Sequence, residues 1–197
     1  ESLRFVSISD VALSEELNDK VDDEIAVYYA YGEIKEDITG GFAQESAITS
    51  KQMTKDLQEL REDDDVKAVV LRVNSPGGSA YASEQIWREV QLLSKEKPVI
   101  VSMGALAASG GYYISCGAKK IFAEPTTLTG SIGIFGMIPD ATELLTDKLG
   151  LSFDVVKTNA HSDFGAMGRP LNESECRLMQ AYSNQGYELF TGRVAQG

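Results

Sequence analysis

Cysteine and histidine are scarce in this 197-residue chain, and their scarcity excludes two classes of protein. The two cysteines, Cys116 and Cys176, cannot build the disulfide framework on which small secreted domains depend, so we expect both to be packed thiols. One histidine, His161, and two cysteines far apart in sequence make no zinc site, so we expect no metal. No motif in the sequence calls for an organic cofactor.

Basic residues and long apolar runs are also in short supply. With 18 lysines and arginines against 30 aspartates and glutamates, the net charge is −12, which argues against nucleic acid or an anionic lipid surface as a partner. No stretch approaches the ~18 consecutive apolar residues of a membrane span, and no signal peptide is visible. The chain begins at Glu1 without a methionine, so we expect a fragment of a longer protein whose targeting segment is absent.

What the chain does have is the composition of a globular domain, 43% apolar and 24% charged, in a length that fits one domain. Strand-like and helix-like patterns alternate through most of it, which predicts an α/β fold with a mainly parallel sheet. The predicted elements of the first half are buried strands at 25–31, 68–73 and 99–102, a helix capped by Ser50, and a helix with Ile86, Val90 and Leu93 on its inner face.

The second half adds shorter elements. A short strand is predicted at 120–123, and alternating glycine and apolar residues predict another at 129–136, of the kind found where a second backbone comes close. Further predicted elements are a helix opened by Pro139 and ended by Gly150, a strand at 153–156, and a long C-terminal helix capped by Asn172.

Two glycine-bearing turns follow neighbouring predicted strands. The second of them lies at Ser109, which follows a run of small residues and precedes Gly-Gly and an apolar helix. Such a turn presents the serine hydroxyl and the next backbone N–H on one side, so Ser109 is the candidate nucleophile. The Pro-Gly-Gly turn leaves N–H groups unpaired at the carboxyl end of its strand, so Gly77 or Gly78 could supply an oxyanion donor beside Gly110. The alternative is that both turns only pack helices against a sheet.

Three motifs, in this order and at this spacing, resemble those of the signal peptide peptidase A (protease IV) family. They are Val-Asn-Ser-Pro-Gly-Gly-Ser at 73–79, Ala-Ala-Ser-Gly-Gly-Tyr-Tyr-Ile-Ser at 107–115, and Leu-Thr-Gly-Ser-Ile-Gly-Ile-Phe-Gly at 128–136. The resemblance runs from about Glu24 to the end of the chain. It implies a serine peptidase with the fold shared by Clp protease and the crotonases.

The resemblance also implies a role for each residue of the site. Ser109 would be the nucleophile of a Ser-Lys dyad, and Ser131 would supply the hydroxyl that orients the lysine amine. The N–H groups of Gly110 and of Gly77 or Gly78 would form the oxyanion hole. A lysine accepts the proton only where a desolvated or electropositive site keeps it neutral. The glycine-rich strand would bind an extended peptide through residues that include Ile132, Gly133 and Ile134.

The chain departs from single-domain members of the family at the general base, because Ser162 stands where they carry the lysine. Long, tandem-repeat members resemble it better, since their lysine comes from an N-terminal repeat. We therefore expect residues 1–24 to be a connector from a missing upstream repeat and residues 25–197 to be the nucleophile-bearing peptidase domain. The alternatives within this chain are a shifted loop that brings in Lys157 and a Ser-His pair with His161.

The family resemblance further implies a substrate, an assembly and a location. The substrates would be remnants of cleaved signal peptides and other extended apolar peptides, and the protein would be a homo-oligomeric ring or dome. It would work at the bacterial inner membrane with its soluble domain on the extracytoplasmic side. Two other classes compete: a non-catalytic assembly or peptide-binding half, against which both retained serines speak, and a crotonase-type acyl-CoA enzyme, which needs no nucleophilic serine.

Overall fold

The computed structural model describes residues 23–37 and 47–197. Its strands are β1 (Glu24–Tyr31), β2 (Glu33–Lys35), β3 (Ala47–Thr49), β4 (Val66–Ser75), β5 (Val99–Ala108), β6 (Lys120–Phe122) and β7 (Leu128–Gly130). Its α-helices are α1 (Ser50–Glu62), α2 (Ala80–Glu96), α3 (Gly110–Ser115) and α4 (Glu173–Gln196), and a π-helical turn spans Leu144–Lys148. Nearly all of the predicted connector at 1–24 lies outside the described residues.

The main sheet has the strand order β1-β4-β5-β6, and β7 pairs with the far end of β5. Every pairing in it is parallel, which confirms the predicted α/β class. Strands β2 and β3 form a separate parallel pair. Because the strands run the same way, the carboxyl ends of β4, β5 and β7 lie at one edge of the sheet, and the glycine-bearing turns begin there.

The hydrophobic core lies between the sheet and helices α1 and α2. Alternate residues of β4 and β5, among them Leu71 and Val101, are fully buried on the helix-covered face. Helix α2 meets them with Ile86, Val90 and Leu93, which confirms its predicted inner face. Helix α1 adds Met53 and Leu57, but its N-cap is Thr49 and not the predicted Ser50, because the Thr49 side chain accepts the N–H of Gln52.

Strand β1 was predicted to be buried along its length, and this is wrong for one of its faces. Ala30 is buried, whereas Ile25 is 68% exposed and Val27 and Tyr29 are also exposed. The reason is tertiary: β1 is the edge strand, and the described helices cover only one side of the sheet. Side chains that alternate along a strand therefore meet the core and the solvent in turn.

Residues 131–157 differ most from the prediction. Strand β7 ends at Gly130 instead of reaching residue 136, and no strand forms at 153–156. Strand β7 stops at Gly130 because the next residue, Ser131, adopts a φ of +55°, which ends the extended conformation. The predicted helix after Pro139 shrinks to a helical stretch that contains the π-helical turn, and Gly150, with a φ of +66°, ends it as expected.

The C-terminal helix α4 begins as predicted. The Asn172 side chain accepts the N–H of Glu175, and the Glu175 carboxylate accepts the N–H of Asn172, which makes a capping box. Of the two cysteines, Cys116 is buried as predicted, but the prediction is wrong for Cys176, which lies at an exposed position in the first turn of α4. Within the described residues no helix is both long and apolar enough to cross a lipid bilayer.

Candidate active site

Ser109 lies between β5 and α3 in a conformation that L-residues rarely adopt. Its φ is +50° and its ψ is −119°. Two backbone hydrogen bonds hold it there: the Ser109 N–H donates to the Gly130 carbonyl (2.9 Å), and the Tyr113 N–H donates to the Ser109 carbonyl (2.9 Å). Backbone strain that the surrounding structure maintains is concentrated at functional sites, so this turn favours a chemical role for the serine.

Ser131 is the other non-glycine residue with a positive φ among those described. It follows Gly130, whose backbone is paired in register with Ala108, the residue before Ser109. The two serines that the sequence singles out are therefore brought side by side by the β5–β7 pairing, and each occupies a strained turn at the end of its strand.

The Pro-Gly-Gly turn closes on the same point. Gly77 has a φ of +93°, and a Cβ added there would lie 2.4 Å from the backbone nitrogen of Gly110. The N–H of Gly77 donates to the buried Ser75 hydroxyl (3.1 Å). Among the described residues no acceptor is found for the N–H groups of Gly78 and Gly110. Of the two candidate partners for Gly110, Gly78 is therefore the one with an uncommitted donor.

All eight predicted site residues line one of two adjoining cavities. The larger, of about 750 Å³, runs between the Pro-Gly-Gly turn and the segment after β7. The smaller, of about 170 Å³, lies against α3 and includes Ser83, Tyr113 and Phe190. Predicted residues in the larger cavity are Gly77, Gly78, Ser109, Ser131, Ile132, Gly133 and Ile134, and Gly110 lines the smaller one.

Ile134 is held more firmly than a surface side chain. It packs against a second buried cluster made by Trp87, Tyr113, Cys116 and Phe190. A Cβ at Gly186 of α4 would lie 2.5 Å from its terminal methyl, so this helix leaves a notch for it. The side chain therefore fixes the segment after β7 onto α4 as well as lining both cavities.

Neither alternative base reaches the cavities. The Lys157 ammonium lies 3.1 Å from the Asp163 carboxylate, and the His161 ring lies 3.8 Å from Glu175. Ser162 accepts a hydrogen bond from the Asn159 N–H within the same loop. Among the described residues no lysine or histidine lines either cavity, and the ionisable side chain in the larger one is Glu33.

Sequence reasoning missed a cluster of polar contacts, here called the polar clamp, that lies behind helix α3. The Arg193 guanidinium stacks on Trp87, 3.9 Å from the ring centroid, and donates to Glu84 (2.6 Å). The Tyr113 hydroxyl donates to the same carboxylate, and burial followed by this bond raises the tyrosine pKa. Because Tyr113 lies in α3, one turn after Ser109, the polar clamp connects α2 and α4 to that helix. The residues of the clamp are too far apart in sequence for a local pattern to predict it.

Other reactive groups near the site are inactive by environment. Burial raises the pKa of the Cys116 thiol to about 11, so the residue remains a packed thiol. The described residues contain no cluster of three or more histidine, cysteine or acidic side chains arranged to hold a metal ion. The groups that remain for chemistry are two serine hydroxyls and two backbone N–H groups.

Comparison with known proteins identifies the relatives of this chain. The Peptidase family S49 model matches residues 91–197, and the Clp protease model matches residues 14–129. The chain is 38% identical to the chloroplastic serine protease SPPA of Arabidopsis thaliana over 88% of its length, and 43% identical to Protease 4 of Haemophilus influenzae over 90%. It spans 26% and 28% of those two proteins.

The two family models divide the chain in an informative way. The Clp protease match covers the parallel sheet through β7, which confirms the predicted fold type. The S49 match covers more than half of the chain and contains both strained serines together with helix α4. The chain therefore belongs to peptidase family S49.

Proposed function

We propose that this chain is the nucleophile-bearing part of a serine peptidase. The observation that carries the proposal is that Ser109 and Ser131, both strained, line one cavity with Gly78, and that Ser109 and Gly78 also line the adjoining cavity with Gly110. Acyl transfer requires a nucleophilic hydroxyl, a second group that helps to activate it, and N–H donors for the oxyanion, all close together in space.

In the proposed reaction Ser109 Oγ attacks the peptide carbonyl carbon while a neutral amine accepts the hydroxyl proton. The resulting oxyanion is stabilised by the N–H groups of Gly78 and Gly110. When the C–N bond breaks, the protonated amine returns that proton to the leaving nitrogen. Water then attacks the acyl-serine by the same route and regenerates the hydroxyl. Ser131 orients the amine through a hydrogen bond.

The amine is proposed to be a lysine from an N-terminal repeat, completing a Ser-Lys dyad. Two facts support this: none of the lysines that the structure describes lines either cavity, and the relatives are more than three times as long as the stretch matched here. On this proposal residues 1–24 form the connector and residues 25–197 form the peptidase domain. The 197-residue chain by itself then has almost no activity, because a serine without its base loses nearly all catalysis.

The proposed substrates are extended apolar peptides, including remnants of cleaved signal peptides. Segment 131–136 carries no strand partner in the described part of the chain, so its backbone is open to pair with a peptide beside Ser109. Ile132 and Ile134 give the cavity its apolar lining. A homo-oligomeric ring or dome at the bacterial inner membrane, with this domain on the extracytoplasmic side, fits such substrates.

The test uses the full-length protein and a fluorophosphonate that reacts with activated serines. We expect labelling at Ser109 and peptide hydrolysis that Ser109→Ala abolishes, with a loss on the order of 10⁶ in rate. Ser131→Ala should cost less, because the lysine is misplaced and not removed. Hydrolysis that survives Ser109→Ala, or no labelling of an intact protein, would favour a non-catalytic half or an acyl-CoA enzyme.

A further inference from the structure

Of the described residues that line the larger cavity, Glu33 alone has an acidic or basic side chain. It begins strand β2, immediately after β1 ends at the carboxyl edge of the main sheet. The other lining residues are glycines, serines, an alanine, a proline and the apolar group Ile132, Ile134 and Phe135. A lone negative charge in such surroundings is the main electrostatic feature that a bound peptide meets.

The backbone holds Glu33 firmly beside the proposed oxyanion donors. The Ile34 N–H donates to the Gly77 carbonyl (2.8 Å), and the Ser79 N–H donates to the Ile34 carbonyl (2.8 Å). Ile34 is completely buried in the core. Because side chains alternate along a strand, anchoring Ile34 inward directs Glu33 outward to the cavity rim.

The groups around Glu33 leave its carboxylate available. Lys35 lies 2.9 Å away on the same face of β2, with the lysine side chain 41% and the glutamate side chain 58% exposed. An ion pair so exposed to water contributes little, so a substrate cation can take its place. The neighbouring Glu36 carboxylate is occupied elsewhere, since it accepts the Ser79 hydroxyl (3.1 Å).

We propose that Glu33 is a specificity-determining residue that selects peptides carrying a lysine or arginine near the apolar residues at the scissile bond. This inference rests on the proposed peptidase function and adds a basic subsite to its apolar cavity. The net charge of −12 acts in the same direction, because it disfavours acidic peptides. Signal peptides combine a basic segment with an apolar one, so their fragments offer both features.

The experiment compares pairs of fluorogenic peptides that differ only in arginine against citrulline, its neutral isostere. The arginine position is moved one residue at a time along an apolar peptide, and the full-length protein is assayed with each pair. At one position we expect arginine to raise kcat/KM about two- to fivefold through KM, as one solvent-exposed charge pair allows. The preference should shrink when the salt concentration is raised.

Three variants show whether Glu33 causes the preference. Glu33→Gln should abolish it, and Glu33→Lys should reverse it in favour of a peptide with glutamate at that position. Glu36→Gln is the matched control, because it removes the same charge three residues away without lining the cavity, and it should keep the preference. A preference that survives Glu33→Gln, or no preference at any position, overturns the inference.

The outcome for the basic subsite is separate from the outcome for the peptidase. Hydrolysis that depends on Ser109 but ignores the arginine refutes the role of Glu33 and leaves the proposed function intact. Peptide hydrolysis that does not depend on Ser109 refutes the proposed function, and the basic subsite falls with it.

Discussion

The central sheet region, residues 66–118, and the segment 119–172 differ in how much of their side-chain surface is buried. In the sheet region, side chains such as Leu71 and Val101 are completely buried. From 119 to 172 no residue is buried, and Phe135 and Val156 are 89% and 98% exposed. The first region is positioned by its own core, whereas the second has little apolar burial within the described chain to position it.

The boundary between the two regions runs through the candidate active site. Ser109 ends a core strand, while Ser131 is the first residue after the last strand. What anchors the exposed segment at its far end is electrostatic: Arg169 donates to Asp163 (2.8 Å) and to the buried Glu175 (2.7 Å) at the start of α4. A proposed partner surface, from an upstream repeat or a second subunit, would meet the exposed apolar side chains.

Of the changes that compare the two regions, Gly77→Ala, at the packed side of the site, is expected to have the largest effect. The added methyl would meet the Gly110 nitrogen at 2.4 Å, and the φ of +93° disfavours alanine, so Gly110, the proposed oxyanion donor, must move. We expect a loss of about a hundredfold or more in kcat, as when one such donor is removed. Gly150→Ala is the control, with a positive φ but open space around it. Equal losses in both variants would show that backbone strain alone is responsible.

Stability should separate the two regions next. Leu71→Ala opens a cavity in the core and should lower the free energy of unfolding by about 2–5 kcal/mol. Leu149→Ala makes the same chemical change at an exposed position and should cost within about 0.5 kcal/mol. Chemical denaturation of both variants of the full-length protein measures the difference. Similar costs would mean that the exposed segment is packed as tightly as the sheet.

Acid should loosen the exposed segment first. The Arg169 guanidinium and the N–H of Asn172 lower the pKa of Glu175 to about 2 from an ordinary value of 4.5. A depressed pKa contributes stability above about pH 4.5 that is lost as the pH falls toward about 2. Glu175→Gln should remove this part of the pH dependence of Tm, whereas Glu173→Gln, which changes an exposed carboxylate two residues earlier, should keep it. An unchanged pH profile in Glu175→Gln would contradict the assignment.

The smallest effect is expected from Lys157→Ala and His161→Ala. Lys157 faces Asp163, His161 faces Glu175, and neither side chain lines a cavity, so kcat/KM of the full-length protein should stay within about twofold. Peptide hydrolysis by each variant checks this. Loss of activity in either one would place the general base within these 197 residues.

The agreement between sequence and structure is closest where local patterns carry the information. The strand-turn-helix pattern around Ser109, the inner face of α2 and the Asn172 cap were all predicted, because each depends on residues within one or two turns of chain. The predictions failed at 129–136 and at the outer face of β1. In both cases the deciding factor was whether another element lies alongside, which the residues of a strand do not specify.

The sequence by itself determined the α/β class, the two turns and the choice of Ser109 as candidate nucleophile, since small residues, glycines and periodic apolar positions are local requirements of those features. Ser131 was indicated by the family resemblance of the motif at 128–136. Only the tertiary structure decided that Ser109 and Ser131 meet, through the parallel pairing of β5 with β7. It also decided that the Ser75 hydroxyl accepts a hydrogen bond from the N–H of Gly77 and not from that of Gly78, and that Glu33 lines the cavity. These depend on strand register and on contacts between distant segments, which only the folded chain brings together.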